Sequence, residues 1–300
     1  MSSAAQSPFA DRLAAGELIL IDGATGTDLE RRGVPMVQNA WCGASALTHP
    51  HDLVAVHRAH IDAGAELIIA NTYASSRHVL EGAGVGEHFE KLNRIGVELA
   101  LQARAEAQRP DVVVAGSIST TEQGNEVPPL DVASANYAEQ AQILADAGAD
   151  LIILEMMRDI EHTHAALDAA IAVGLPIWLG ISCVVKDGLP WMWREGVTVA
   201  DFIPTLAGKP VELLAVMHTE TDEIDACLDV LDRHWDGPVG VYAQSGVFDP
   251  PDWVFIDIIS TEEYGTACQR WIDRGVQVIG GCCGIGHEHI SHLHHMMSSS

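Results

Sequence analysis

An eightfold alternation constrains this chain more than any other feature. Short apolar runs rich in Val, Ile and Leu recur along it, and most of the stretches between them have helical spacing. The runs are Leu18–Asp22, Leu67–Ala70, Val112–Gly116, Leu151–Glu155, Ile177–Ser182, Leu213–Met217, Val239–Tyr242 and Val276–Gly280. Such alternation is the pattern of a parallel sheet wrapped by helices. Eight strands is the barrel number, and the runs continue almost to the last residue with nothing left over for a second lobe. The expected fold is therefore α/β, a single-domain (β/α)8 TIM barrel, in preference to an open doubly wound sheet. The 300 residues exceed the roughly 250 such a barrel needs.

Helices are expected over His51–Ala63 and Tyr137–Ala147, each followed by a glycine suited to a helix C-terminus. The recurring Ala-Gly-Ala phrase at 63–65 and 147–149 marks the helix-to-strand turn of a repeating βα unit. Residues 1–16 read as a frayed arm and 17–297 as the barrel. Longer loops are expected at Glu122–Pro129 and Asp187–Arg194, both over the active-site end.

Composition narrows the setting. No apolar run reaches the ~18 residues of a membrane span, and the N-terminus lacks the basic start and apolar stretch of a signal peptide. Six cysteines thinly spread over a large chain argue for reduced thiols in the cytoplasm and against a disulfide framework. A formal charge of -26, with Lys91, Lys186 and Lys209 the only lysines, excludes nucleic acid and anionic membranes as partners.

In a barrel, chemistry gathers where strands give way to loops on one face. The runs end at Asp22, Asn71, Ser117, Glu155, Ser182-Cys183, His218, Tyr242 and Cys282-Cys283. Nearly all are polar after an apolar run, which packing alone does not require.

Gly280-Gly281-Cys282-Cys283-Gly284 is the strongest element. Its glycines allow a sharp turn and close approach, and two adjacent thiolates suit a soft metal such as zinc. Buried structural cysteines or a phosphate-binding glycine turn are the competing readings. His218 is the best third ligand and Cys183 its rival; one His with two Cys leaves a fourth tetrahedral position open for catalysis. The five histidines between His287 and His295 read as a solvated terminal helix. Asp22-Gly23-Ala24-Thr25-Gly26-Thr27 is not a GxGxxG loop, and Thr27 with Glu30 reads as a capping box. Asp22 and Glu155 suit an ammonium group, with salt bridges inside the barrel mouth as the alternative.

Taken together these residues resemble the homocysteine S-methyltransferase family. The resemblance rests on Asp22-Gly23-Ala24-Thr25-Gly26-Thr27 with Arg31-Arg32-Gly33, on Asn71-Thr72-Tyr73, on Glu155, and on the double-cysteine glycine motif. It implies a (β/α)8 barrel in which zinc activates a thiol that attacks the methyl group of a sulfonium, betaine or methylcobalamin donor. It implies that Asp22 and Glu155 hold the amino end of the acceptor, that Asn71, Tyr73 and Ser245 line the pocket, and that His218, Cys282 and Cys283 hold Zn2+. The implied partners are a small thiol and a methyl donor, in methionine biosynthesis.

Departures accompany the matches. The family's strand-six cysteine is replaced by His218 in Met217-His218-Thr219, Ser117-Ile118-Ser119 stands for a Gly-Pro turn, Met156 follows Glu155 where Thr is usual, and strand seven reads Ala243-Gln244-Ser245-Gly246. They leave open a metal-containing barrel that binds a thiol or amino acid without transfer, or a diverged lyase or demethylase.

Overall fold

The computed structural model describes residues 7–37, 39–122, 128–193, 196–249 and 254–298. All eight expected strands are present: β1 Ile19–Leu20, β2 Leu67–Ile69, β3 Val113–Ser119, β4 Leu151–Met157, β5 Ile177–Lys186, β6 Leu213–Glu220, β7 Val239–Gln244 and β8 Val278–Ile279. They run parallel in the order β1-β8-β7-β6-β5-β4-β3-β2. A parallel bridge from Ile21 to Leu67 closes β1 onto β2, making the sheet a barrel.

Alternation along each strand sorts the side chains into two apolar layers. Ile19, Ile21, Val113, Ala115, Ile153 and Trp178 point into the barrel, while Leu20, Val112, Val114, Ile152 and Leu179 pack outward against the helices. Helices Pro50–Asp62 and Leu130–Asp146 match the expected ones in position, the second starting seven residues earlier.

Residues 7–16, part of the expected frayed arm, plug the barrel floor. Phe9 and Leu13, flanking and within helix Ala10–Ala14, are buried, and the Phe9 ring lies 5.6 Å from that of Trp178. Trp178 Nε1 donates to Glu212 Oε2 at 2.8 Å, and Ser7 Oγ donates to the same oxygen at 2.7 Å.

Two expectations need correction. The Asp187–Arg194 stretch is not a plain loop: β5 runs on to Lys186, turns at Asp187-Gly188, and returns antiparallel as Leu189–Met192. Both turn residues have positive φ, 52° and 75°, as a two-residue hairpin turn demands. Arg194, like most of the Glu122–Pro129 loop, lies outside the described residues. Nor does Thr27 cap a helix. Helix Thr25–Arg31 begins two residues before it, and its hydroxyl accepts the Gly284 N–H at 3.2 Å.

Candidate metal centre and active site

The barrel mouth holds a cavity of about 760 Å³, in the ordinary range for a small-molecule site. Cys282, Cys283 and His218 share its wall. His218 Nδ1 lies 3.7 Å from each sulfur, and the sulfurs are 3.9 Å apart. Ligands at about 2.0–2.3 Å from a tetrahedral zinc stand roughly 3.5–3.8 Å from one another, so the trio traces one face of such a site. Cys282 is pushed well above the ordinary thiol range by its hydrogen bond to Cys283 and by burial, with His218 opposing. A vicinal thiol pair so placed favours ionisation only beside a cation. Cys183, the rival ligand, is buried outside this group: it packs among the outward-facing core residues, and its backbone N–H donates to Thr219 Oγ1 at 3.0 Å.

A β-bulge puts His218 where it is. Met217 pairs with Tyr242 and Glu220 with Gln244, so β6 spends three steps where β7 spends two. The extra residue reverses the inside-outside alternation, and His218 takes a φ of 44°. Met217, His218 and Glu220 all reach the cavity in consequence. Strand β4 repeats the device between Leu154 and Met157, with Met156 at φ 52°, and brings Glu155 and Met156 to the wall.

The cysteine turn is gripped from three sides. Gly281 N donates to Asp22 O at 3.0 Å, and a Cβ on Gly280 would run into Ile21. These two glycines serve close approach rather than the turn itself. The turning residue is Gly284, at φ +82°, where a Cβ would strike the Ser245 carbonyl. Ser245 in turn takes the Cys283 carbonyl through its own N–H at 3.0 Å.

Glu155 is buried and accepts from Ser117 Oγ at 2.5 Å. Burial lifts its pKa to about 7, against the pull of Ser117, Tyr242 and His218. Asp22 lies beneath the cavity wall. Its Oδ2 accepts the Ile69 N–H at 2.7 Å, Oδ1 is buried without a partner, and burial together with Glu155 raises its pKa well above the carboxylate range.

Asn71, Tyr73 and Ser245 all line the cavity, but their polar groups are engaged. Asn71 Nδ2 donates to Cys42 O and Ser45 Oγ at 3.0 and 2.8 Å, fixing the 42–45 segment. Tyr73 donates its hydroxyl to Met156 Sδ at 2.6 Å and meets Trp41 edge-on at 6.2 Å. Ser245 Oγ accepts the Ile259 N–H at 2.9 Å.

Sequence reasoning missed Trp41, Trp193 and Glu220 on the wall. Trp193 rides on the β5 hairpin, its ring 5.4 Å from that of His218. The Asp187-Gly188 pair was the signal that could have found it. The terminal histidines are not simply solvated: His289 is buried and bonds Ile259 O at 3.0 Å. His287 meets Asp28 at 3.0 Å, and the Arg31 guanidinium, 2.7 Å from Glu288 and 3.3 Å from Asp28, already balances those carboxylates.

A profile of the homocysteine S-methyltransferase family matches residues 19–297. The chain belongs to the homocysteine S-methyltransferase family. Its curated relatives include homocysteine S-methyltransferase YbgG of Bacillus subtilis, 26% identical over 92% of this chain and 93% of that one. Selenocysteine Se-methyltransferase of Brassica oleracea is also 26% identical, over 89% of this chain and 85% of its own. Among solved structures, the homocysteine methyltransferase MmuM of Escherichia coli in its metallated form superposes with a TM-score of 0.81 at 24% identity, over 97% of this chain and 100% of that one. The family's barrel is thus the barrel of this chain, and the chain is a methyltransferase. Among the described residues no helix is long and apolar enough to cross a membrane.

Proposed function

We propose that this methyltransferase moves a methyl group from a small onium donor to homocysteine or a close thiol relative, with zinc held by His218, Cys282 and Cys283. The observation that carries the reading is the 3.7–3.9 Å triangle of soft donor atoms on the cavity wall, open toward the cavity. Bound there, zinc supplies Lewis acidity that keeps an acceptor thiol in its thiolate form near neutral pH.

The chain's own residues do the remainder. Glu155, held by Ser117, receives the ammonium end of the acceptor, which would also give the orphaned Asp22 Oδ1 below it a proton donor. Asn71 and Ser245 shape the wall through the 42–45 segment and the cysteine turn. Trp41, Tyr73 and Trp193 keep water from the reacting atoms. The thiol proton leaves to solvent, the sulfur lone pair forms the new S–CH3 bond, and the donor's bond to that methyl breaks with its electrons staying on the donor heteroatom.

Replacing a thiolate by the neutral imidazole of His218 makes the metal site one charge less negative. The acceptor is then a weaker nucleophile and suits a reactive sulfonium over a betaine. A cytoplasmic place in methionine biosynthesis follows from this chemistry and from six free thiols.

The test is metal content and thiol methylation in the chain and its Cys282→Ser/Cys283→Ser variant, with matched sulfonium and betaine donors. Near-stoichiometric zinc lost in the variant, and turnover falling by more than the ~100-fold that an outer-shell change costs, are expected, with the sulfonium faster. Equal metal in both proteins would overturn the zinc assignment; binding of homocysteine without turnover on any donor would overturn methyl transfer.

A further inference from the structure

We propose that Trp193 is a positioning residue of the metal centre: its indole, laid against the His218 imidazole, keeps Nδ1 rather than a ring carbon turned toward the two cysteine sulfurs. The role rests on the zinc reading above; the ring contact rests on geometry.

A histidine ligand poses a problem that a cysteine does not. An imidazole coordinates only through a ring nitrogen and only in the plane of the ring. The torsion that turns the ring is broad and roughly two-fold. Half a turn about it exchanges Nδ1 with Cδ2, so the atom now 3.7 Å from each sulfur would become a C–H that binds no metal.

The backbone around His218 is already fixed. Thr219 Oγ1 donates to Met217 O at 2.9 Å and accepts the Cys183 N–H at 3.0 Å. Met217 Sδ accepts from Ser182 Oγ at 3.3 Å and from the Met156 N–H at 3.2 Å. None of these contacts touches the imidazole. Among the described residues its hydrogen-bond contacts are with the two sulfurs, both through Nδ1. Metal-bound histidines are commonly oriented by a hydrogen bond from the other ring nitrogen. Here a ring takes that place: the Trp193 and His218 centroids are 5.4 Å apart with their planes at 48°, within the range of a paired aromatic contact.

Trp193 is hung from the same frame as the ring it supports. Its N–H donates to Ser182 O at 2.9 Å, and the Ser182 hydroxyl is the group that bonds Met217, the residue before His218. Indole and imidazole are thus registered to each other through β5 and β6. Trp193 is 39% exposed and belongs to neither apolar layer, so burial alone gives no reason for a tryptophan on this hairpin.

Proton–cadmium NMR on the full chain loaded with Cd2+ reads the ring directly. A metal on Nδ1 couples to Hε1 alone, and a metal on Nε2 to both Hε1 and Hδ2. The Cys282→Ser/Cys283→Ser variant separates the signals of this site from those of the terminal histidines. Wild type and Trp193→Phe, which keeps a ring, are expected to show the Nδ1 pattern. Trp193→Leu should lose it, and its zinc affinity in a chelator competition should fall by about 10- to 100-fold, as when a group supporting a ligand is removed, with an unchanged urea midpoint. Retention of both the Nδ1 pattern and wild-type zinc affinity in Trp193→Leu would overturn the proposal. So would a loss matched by a lowered midpoint, which would assign Trp193 to the fold. A wild type with no coupled signal at this site would overturn the zinc reading, and the positioning role with it. The wild-type spectrum therefore judges the metal, and the variants judge Trp193.

Discussion

The two ends of this barrel are built on opposite terms. At the floor, Phe9 and Leu13 close over Trp178, and the one indole N–H there is satisfied by Glu212, which Ser7 also bonds. At the mouth, Asp22 Oδ1 and Gln244 Oε1 are buried without hydrogen-bond partners, Met156 and His218 take positive φ, and burial lifts the Glu155 pKa to about 7. The floor pairs the polar groups of Trp178, Glu212 and Ser7, whereas the mouth leaves buried acceptors unpaired and two residues at positive φ. Strain and unpaired polar atoms persist only where the surrounding fold enforces them, and they gather where ligands are handled. Stability and chemistry are therefore separable in this chain, by position along the barrel axis.

The separation is broken most directly at the floor. Trp178→Ala should lower unfolding stability by about 3–5 kcal/mol, read from urea transitions, while zinc per folded chain and the donor preference stay unchanged. A large loss of metal in that variant would show the ends to be coupled. At the mouth the reverse is expected from Gly284→Ala, which forces a Cβ against the Ser245 carbonyl at a residue with φ +82°. Zinc affinity in a chelator competition should fall by about 10- to 100-fold, as when a supporting shell is disturbed, with a smaller stability change of about 1–3 kcal/mol. If stability collapses before metal affinity does, the turn is part of the fold's foundation after all.

A gentler probe is pH. His57 and His60 lie on helix Pro50–Asp62, with burial lowering them to about 3 and about 4. The folded chain keeps both neutral while the unfolded chain takes up protons below about 6.5. Stability is thus fully present above about pH 6.5 and falls as pH drops toward 4, by at most about 1.4 kcal/mol per pH unit for each histidine. His60 Nδ1 accepts the Gly23 N–H at 3.3 Å, beside Asp22. Hydrogen exchange at pH 5 should consequently loosen the Gly23 region before the floor around Trp178; simultaneous loosening would blur the distinction between the ends.

How much of this was legible in the sequence follows the same line. The barrel was, because eight buried runs at regular intervals report burial, and burial is what periodicity measures. The cysteine turn was, because adjacent thiols among glycines have few structural uses. The choice between His218 and Cys183 was not. It depends on one extra residue in β6, and a single bulge turns every later side chain to the opposite face without altering composition. Thr27 misled for a related reason: its spacing to Glu30 is that of a cap, but its hydroxyl serves Gly284, more than 250 positions away. Glu220 carried no signal at all until the bulge placed it beside Gln244.

The first and last strands of the barrel are hydrogen-bonded neighbours, and the cysteine turn is held by Asp22 and Thr27 from the first of these units. During synthesis that grip has no object until residues 280–284 have left the ribosome, by which time all eight strands and His218 have already emerged. Until then a nascent chain carries one member of the proposed trio and neither of its thiols, and the three donor atoms meet only as the last strand closes onto the first.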